Sequence, residues 1–143
     1  MNAHRIRNGC NASETDVRMR RPKDPLALLP LSPAVFHILL AVSDRERHGY
    51  GVMRAVAADT NGSLQLGPGT LYGCLKRMLA AGLVAESDER PDPELDDQRR
   101  RYYRITDFGA RTLRAEAERL SVSLSAARAR RLLSEKAVAE TRG

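Results

Sequence analysis

Lys76 and Arg77 are the residues best placed to act on an external partner. In the stretch Leu-Gly-Pro-Gly-Thr-Leu-Tyr (66–72), continuing as Gly-Cys-Leu-Lys-Arg-Met-Leu-Ala-Ala-Gly, helical spacing puts them on one face with Gly69, Thr70 and Gly73. Small and basic residues on an exposed helix face suit close approach to a polyanion. A second basic group, Arg99, Arg100 and Arg101, runs into Tyr102 and Tyr103. Along a strand, alternation points Arg99 and Arg101 one way and Arg100 the other, so the three cannot all face one partner. Asp92, Glu94, Asp96 and Asp97 precede them, and those acids would repel phosphate, which argues against deep minor-groove insertion there. Each cation also has a plainer reading as surface charge, and Tyr102 and Tyr103 read as packing against the domain.

The elements that must position these groups follow from periodicity. Gly67-Pro68 starts a helix and Gly82 stops it, while Leu71, Cys74, Leu75, Met78 and Leu79 recur at helical spacing and predict a buried face. Leu83 to Glu86 reads as a short strand, Arg90 to Gln98 as a polar loop, and Arg99 to Ile105 as a basic strand. This order describes a recognition helix followed by a wing. Gly69 and Gly73, four apart, are poor helix formers; close packing against another segment and close approach to DNA both account for them.

Upstream, Ser32-Pro33 provides an N-cap and first-turn proline for a helix carrying Val35, Phe36, Ile38, Leu39, Leu40 and Val42. After the polar break Ser43 to Arg47, His48-Gly49-Tyr50-Gly51 leads into a second helix with Tyr50, Met53, Val56 and Ala57 at helical spacing, ended by Asn61-Gly62. Joined to the Pro68 helix by a short turn, it forms a helix-turn-helix, whose first member braces the backbone while the second lies in the major groove. Residues 1 to 24 have no apolar period and predict an unstructured tail, with Arg5, Arg7, Arg18, Arg20, Arg21 and Lys23 as solvated charges or a backbone-binding arm.

Composition narrows the function classes. The 143 residues suit one domain with an added helix, and 42% hydrophobic content supports a core. A net charge of +6 and a pI near 9.9 favour an acidic partner, nucleic acid ahead of an anionic membrane. Cys10 and Cys74 lie far apart in unlike settings, so no disulfide framework is expected and a reducing cytoplasm fits. The apolar run Leu26 to Val42 is broken by Pro30, Ser32, Pro33 and His37, which argues against an export signal or a membrane span. No metal is expected, since His4, His37, His48 and the two cysteines lack ligand spacing, and no cofactor is indicated. Gly67-Pro68-Gly69 lacks the Lys-Ser/Thr ending of a phosphate loop, and no nucleophile elbow or zinc helix is present, so an enzyme is not expected.

The C-terminal segment predicts a partner of its own. Thr106 can cap a helix in which Leu113, Ala117, Leu120, Leu124 and Ala127 follow spacings of four and three. A long helix after a complete winged-helix core has little intramolecular surface left to cover, so this seam is read as a homodimer contact, with Arg111, Arg114, Glu116, Glu118 and Arg119 solvated on its flanks.

Together these motifs resemble the PadR-type winged-helix transcriptional regulators from about Leu31 to Leu120. The likeness rests on His48-Gly49-Tyr50, on Leu66 to Tyr72 with Gly-Thr-Leu-Tyr at its centre, on Gly82-Leu83-Val84, and on Arg101-Tyr102-Tyr103-Arg104-Ile105-Thr106 followed by Gly109. It implies a homodimeric DNA-binding regulator, usually a repressor, that often loses operator affinity on binding a small molecule at or near the dimer interface. By position it implies DNA contacts from Tyr50, Thr70, Tyr72, Lys76 and Arg77, with Arg99, Arg100 and Arg101 at the wing.

The expected protein is therefore mainly α (α+β): a winged helix-turn-helix domain over 29–106, a C-terminal dimerisation helix over 107–133, and tails over 1–28 and 134–143. Its expected partners are a palindromic double-stranded operator and a second copy. The effector's residues cannot be named; Phe36, His37 and the seam around Leu120 would lie near a dimer interface, and His37 reads first as a satisfied core residue. The alternative keeps the winged helix as a protein-protein or RNA-binding module, since fold does not fix function.

Overall fold

The computed structural model describes residues 24–87 and 101–134. Ser32 opens α1 (Pro33–Val42), its hydroxyl accepting the Val35 N–H at 3.2 Å, which satisfies one of the amides a helix start leaves unpaired. His48 caps α2 (Gly49–Asp59) in the same way, Nδ1 accepting the Gly51 N–H at 3.1 Å. That helix stops where Asn61 and Gly62 take positive φ values of 51° and 79°, as the Asn-Gly pair predicts. Pro68 opens α3 (Pro68–Ala81), and Gly82 closes it in the left-handed conformation at φ 79°.

One core joins these elements. Ile38, Leu39 and Val42 of α1 pack with Val52 and Val56 of α2, with Leu71, Cys74, Leu75 and Met78 of α3, and with Leu83, Val84, Tyr103 and Leu113. The inner face of α2 is turned from the expected one. Val52 and Val56 are buried, whereas Tyr50 is 44% exposed and Met53 half-buried. The cause is Gly49, where a Cβ would overlap the Tyr72 hydroxyl; the bare backbone at this position admits the Tyr72 ring and sets the roll of α2 against α3.

Three short strands form an antiparallel sheet in the order β1-β3-β2. β1 (Arg47–His48) pairs with β3 (Tyr102–Ile105), and β2 (Val84–Glu86) pairs with β3 on its other side, with Val84 opposite Ile105 and Glu86 opposite Tyr103. β1 falls at the end of the expected polar break Ser43 to Arg47. A two-residue strand is too short to show alternation; the Arg47 Nε donates to the Ala41 carbonyl at 2.5 Å and its Nη2 lies 3.5 Å from Asp44, which fixes the chain for pairing. β3 covers the Tyr102 to Ile105 part of the expected basic strand, and Arg99 and Arg100 lie outside the described residues.

The last helix, α4 (Asp107–Ala129), begins at the expected Thr106 cap and carries Gly109, Thr112, Leu113 and Glu116 on its buried face. Two sequence expectations are corrected there. Leu113, assigned to the dimer seam, is 9% exposed and belongs to the chain's own core. Glu116, expected on a solvated flank, is 1% exposed. Its carboxylate accepts the Leu31 N–H at 2.7 Å and the Arg119 guanidinium at 2.5 and 3.2 Å, so its charge is buried because it is fully used. The last part of the expected tail over 1–28 is ordered: Pro25–Leu28 forms a single 3-10 turn capped by Asp24 and packed on α4. Residues 1–23, 88–100 and 135–143, with the tail expectations that fall on them, lie outside the described residues. Among the described residues no helix is long and apolar enough to cross a membrane.

Candidate nucleic-acid interface

The inner side of α3 is spent on the core, which leaves a distinct outer side. Gly69, Thr70, Lys76 and Arg77 are exposed and Gly73 is half-exposed. A Cβ added at Gly67 or Gly69 would meet nothing within 4 Å, and one at Gly73 would meet only the Arg77 guanidinium at 3.7 Å. Of the two accounts of these glycines, packing against another segment is therefore removed for the described residues. They leave a shallow, side-chain-free strip of backbone along the first two turns.

Cations border that strip. No ion pair holds Lys76 among the described residues. Arg77 reaches back along its own helix, with Nη2 3.4 Å from the Cys74 sulfur. Cys74 is buried, which leaves its thiol out of reach of solvent oxidants. Tyr50 stands exposed at the first turn of α2, while Tyr72 is half-buried with its hydroxyl over Gly49. The expected contacts are thus unlike one another: Tyr50, Thr70, Lys76 and Arg77 are open to solvent, and Tyr72 is largely a packing residue.

At the wing, Arg101 is half-buried and bound to Glu86, Nη1 to Oε1 at 2.9 Å. Arg99 and Arg100, with the acids Asp92, Glu94, Asp96 and Asp97, lie outside the described residues. Tyr103 packs in the core at 5% exposure, and Tyr102 stands edge-on to His48 with ring centroids 5.5 Å apart, the packing role read for both. Burial pushes the Tyr103 phenol above its usual pKa, helped by the charge of Glu86 and by Tyr72 and opposed by Arg101. Sequence reasoning passed over Glu86. The signal available was an acid at the end of one wing strand facing a base at the start of the next.

Between α3 and the wing strands lies an open cleft of about 550 Å³. Tyr72, Leu75, Lys76 and Leu79 line it from the helix, and Glu86, Arg101 and Tyr103 from the sheet. Among the described residues no three His, Cys, Asp or Glu side chains cluster as metal ligands would. His37 is half-buried and edge-on to Phe36 at 5.1 Å, but its Nδ1 has no hydrogen-bond partner among the described residues, unlike the satisfied core histidine expected.

The described residues form a helix-turn-helix with an exposed outer side on its second helix and a three-stranded wing, and residues 38–115 match the model of the transcriptional regulator PadR-like family, more than half of the chain. The chain belongs to the PadR-like family. Solved structures with the same fold include a PadR family transcription regulator from Clostridium difficile R20291, with 20% identity and a TM-score of 0.56 over 68% of this chain and 96% of that one. A transcriptional regulator from Clostridium thermocellum matches with 20% identity and a TM-score of 0.53, over 65% of this chain and 84% of that one. The PadR of Bacillus subtilis, solved in complex with operator DNA, matches with 19% identity and a TM-score of 0.51, over 60% of this chain and 46% of that one. No curated protein matches the sequence. The chain is thus a PadR-family transcriptional regulator with the family's winged helix-turn-helix fold.

Proposed function

We propose that this PadR-family protein is a homodimeric, sequence-specific DNA-binding repressor that a small molecule releases from its operator. The observation that carries the DNA reading is the outer side of α3: glycines with open space above them, flanked by Thr70, Lys76 and Arg77. Bare backbone there lets the helix sit deep in a major groove, while the cations neutralise phosphate and Thr70 reaches base edges or backbone. Tyr50 on the bracing helix and Arg101 at the wing are the further contacts in this reading.

The dimer reading is supported by the distal half of α4. Beyond the segment that packs on its own domain, Val122 is 72% and Leu124 46% exposed. Leu124 forms with Leu120 and Ala127 an apolar stripe that a second α4 would cover, whereas Val122 lies on the opposite side of the helix. Two-fold symmetry then presents two recognition helices to a palindrome with half-sites about one helical turn apart.

Fluorescence anisotropy against duplex from the gene's own upstream region and a scrambled control, across a salt series, tests this reading. Preferential binding should persist at moderate salt. A dimer with on the order of six to ten phosphate contacts should lose about 10³ to 10⁵ in affinity between about 50 and 200 mM salt. Equal binding to both duplexes would remove sequence specificity, and no binding to either would turn the fold to a protein or RNA partner.

A further inference from the structure

We propose that Arg77, held over Gly73 by the Cys74 sulfur, is the base-reading residue of α3 and selects a guanine in each operator half-site. The inference rests on the DNA-binding function proposed above and names what that surface reads.

The two neighbouring cations of α3 are placed for different work. At about 100° per residue around a helix, Arg77 falls within about 20° of Thr70 and about 40° of Gly73, while Lys76 lies on the far side of Gly73. Lys76 lines the cleft that runs to Glu86 and Arg101 of the wing, at the edge of the surface, where a flexible point charge suits phosphate. Arg77 is not part of that lining. Its guanidinium lies along the helix instead: a Cβ on Gly73 would stand 3.7 Å from Nη1, and Nη2 donates to the Cys74 sulfur at 3.4 Å.

That placement carries the head group back along α3. Helical side chains lean toward the N-terminus of their helix, so the charge of Arg77 sits level with Gly73, in the second turn. The N-terminal turns of a recognition helix are the ones that meet base edges. A longer side chain at residue 73 would compete for the space the guanidinium fills. Cys74 takes one N–H of the five that a guanidinium carries, and among the described residues no ion pair engages Arg77. What remains is a planar, charged fork ordered before any duplex arrives.

The shape of the fork defines the base. In the major groove guanine presents two adjacent acceptors, N7 and O6, which a guanidinium meets with two parallel hydrogen bonds. Adenine sets a donor beside its N7, and that donor opposes an arginine. Lysine carries the charge without the planar pair.

The test selects bound sequences from a pool of random duplexes with the full chain and with Arg77→Lys. Both proteins are then measured on the selected duplex and on the same duplex carrying 7-deazaguanine, which lacks N7. The parent should select a palindrome with an invariant guanine in each half-site. 7-Deazaguanine there should cost it about tenfold in affinity, within the range for breaking a bidentate pair. Arg77→Lys keeps the charge, so its salt slope should match that of the parent while its 7-deazaguanine penalty disappears. Lys76→Ala should do the reverse, lowering the slope and keeping the penalty. Both residues are exposed, so these variants should fold. Cys74→Ala should shrink the penalty, and Cys74→Ser, which keeps an acceptor, should restore much of it. An equal penalty in the parent and Arg77→Lys, or a selected site with no invariant guanine, would overturn the assignment and leave sequence-specific DNA binding standing. An unchanged penalty in Cys74→Ala would overturn the positioning by its sulfur. Selection of no common sequence would overturn the inference together with the DNA-binding function.

Discussion

The carboxylate of Glu116 and the backbone amide of Leu31 meet at 2.7 Å although 85 positions separate them in the chain. That bond ties the segment entering α1 to the middle of α4, and Arg119 closes the remaining side of the carboxylate. Removing it should uncouple the segment before α1 from α4. Glu116→Ala leaves a buried amide unpaired and should cost about 1–3 kcal/mol of unfolding free energy, while Glu116→Gln, which keeps an acceptor for Leu31, should cost less. Urea unfolding of the three proteins gives the ranking, and equal midpoints would refute it.

The same carboxylate predicts an acid sensitivity. The Arg119 hydrogen bond, with a smaller contribution from the Leu31 amide, outweighs burial and holds Glu116 below its ordinary pKa of 4.5. A depressed folded-state pKa means the folded protein binds fewer protons than the unfolded chain. Its stabilisation is therefore complete above about pH 4.5 and is lost as pH falls from there through the lower folded value. The melting temperature of the parent should drop more steeply in this acid range than that of Glu116→Gln, and parallel curves would rule the effect out.

Two glycine substitutions should separate folding from binding. At Gly109 a Cβ would overlap the Leu83 carbonyl and press on Ile105, a backbone contact that cannot swing aside, so Gly109→Ala should destabilise by about 1–3 kcal/mol or more. At Gly69 the space is open, and alanine is the better helix former, so Gly69→Ala should leave stability unchanged or raise it by up to about 1 kcal/mol. If α3 enters a groove, that harmless methyl should nonetheless weaken operator binding. Unchanged affinity would mean that DNA does not approach this turn.

Charge substitutions should read out as salt dependence. Lys76→Ala should weaken binding to every duplex alike and lower the salt slope by about one unit per protomer, as a lost phosphate contact does. Releasing Arg101 through Glu86→Gln should raise the slope or leave it unchanged. A fall in the slope for Glu86→Gln would show that the pair acts as a unit in holding the wing.

Within α4 the seam residues should divide by exposure. Leu113→Ala, in the core, should destabilise the fold by about 2–5 kcal/mol without dissociating a dimer. Leu124→Glu, at a site already 46% exposed, should leave the monomer folded and abolish the dimer in sedimentation experiments.

The sequence was most legible where caps and apolar spacing agree. Ser32-Pro33, Pro68 with Gly82, and Thr106 each mark a helix boundary, and Leu71, Cys74, Leu75 and Met78 trace one buried face. It was less legible where tertiary contacts decide. The roll of α2 depends on Tyr72 seating over Gly49, which no period within α2 encodes, and β1 is two residues long. Glu116 sits among charged neighbours that look solvated, and its burial becomes intelligible only once Leu31 is seen to lie against it. The glycines of α3 are visible in sequence, but their reason is not, because open space above a backbone is a property of the folded chain.

Thr106 stands at a joint between the α3 terminus and α4. Its hydroxyl hydrogen is shared between the carbonyls of Gly82 at 2.6 Å and Leu83 at 3.0 Å, and its oxygen accepts the Gly109 N–H at 2.9 Å. One side chain thereby pins the last turn of α3 to the first turn of α4. In the proposed dimer, a change in the crossing angle of the two α4 helices would swing each α3 about this pin and alter the distance between them. The protein would then measure operator spacing as a pair of calipers does, with Thr106 as the rivet on each arm.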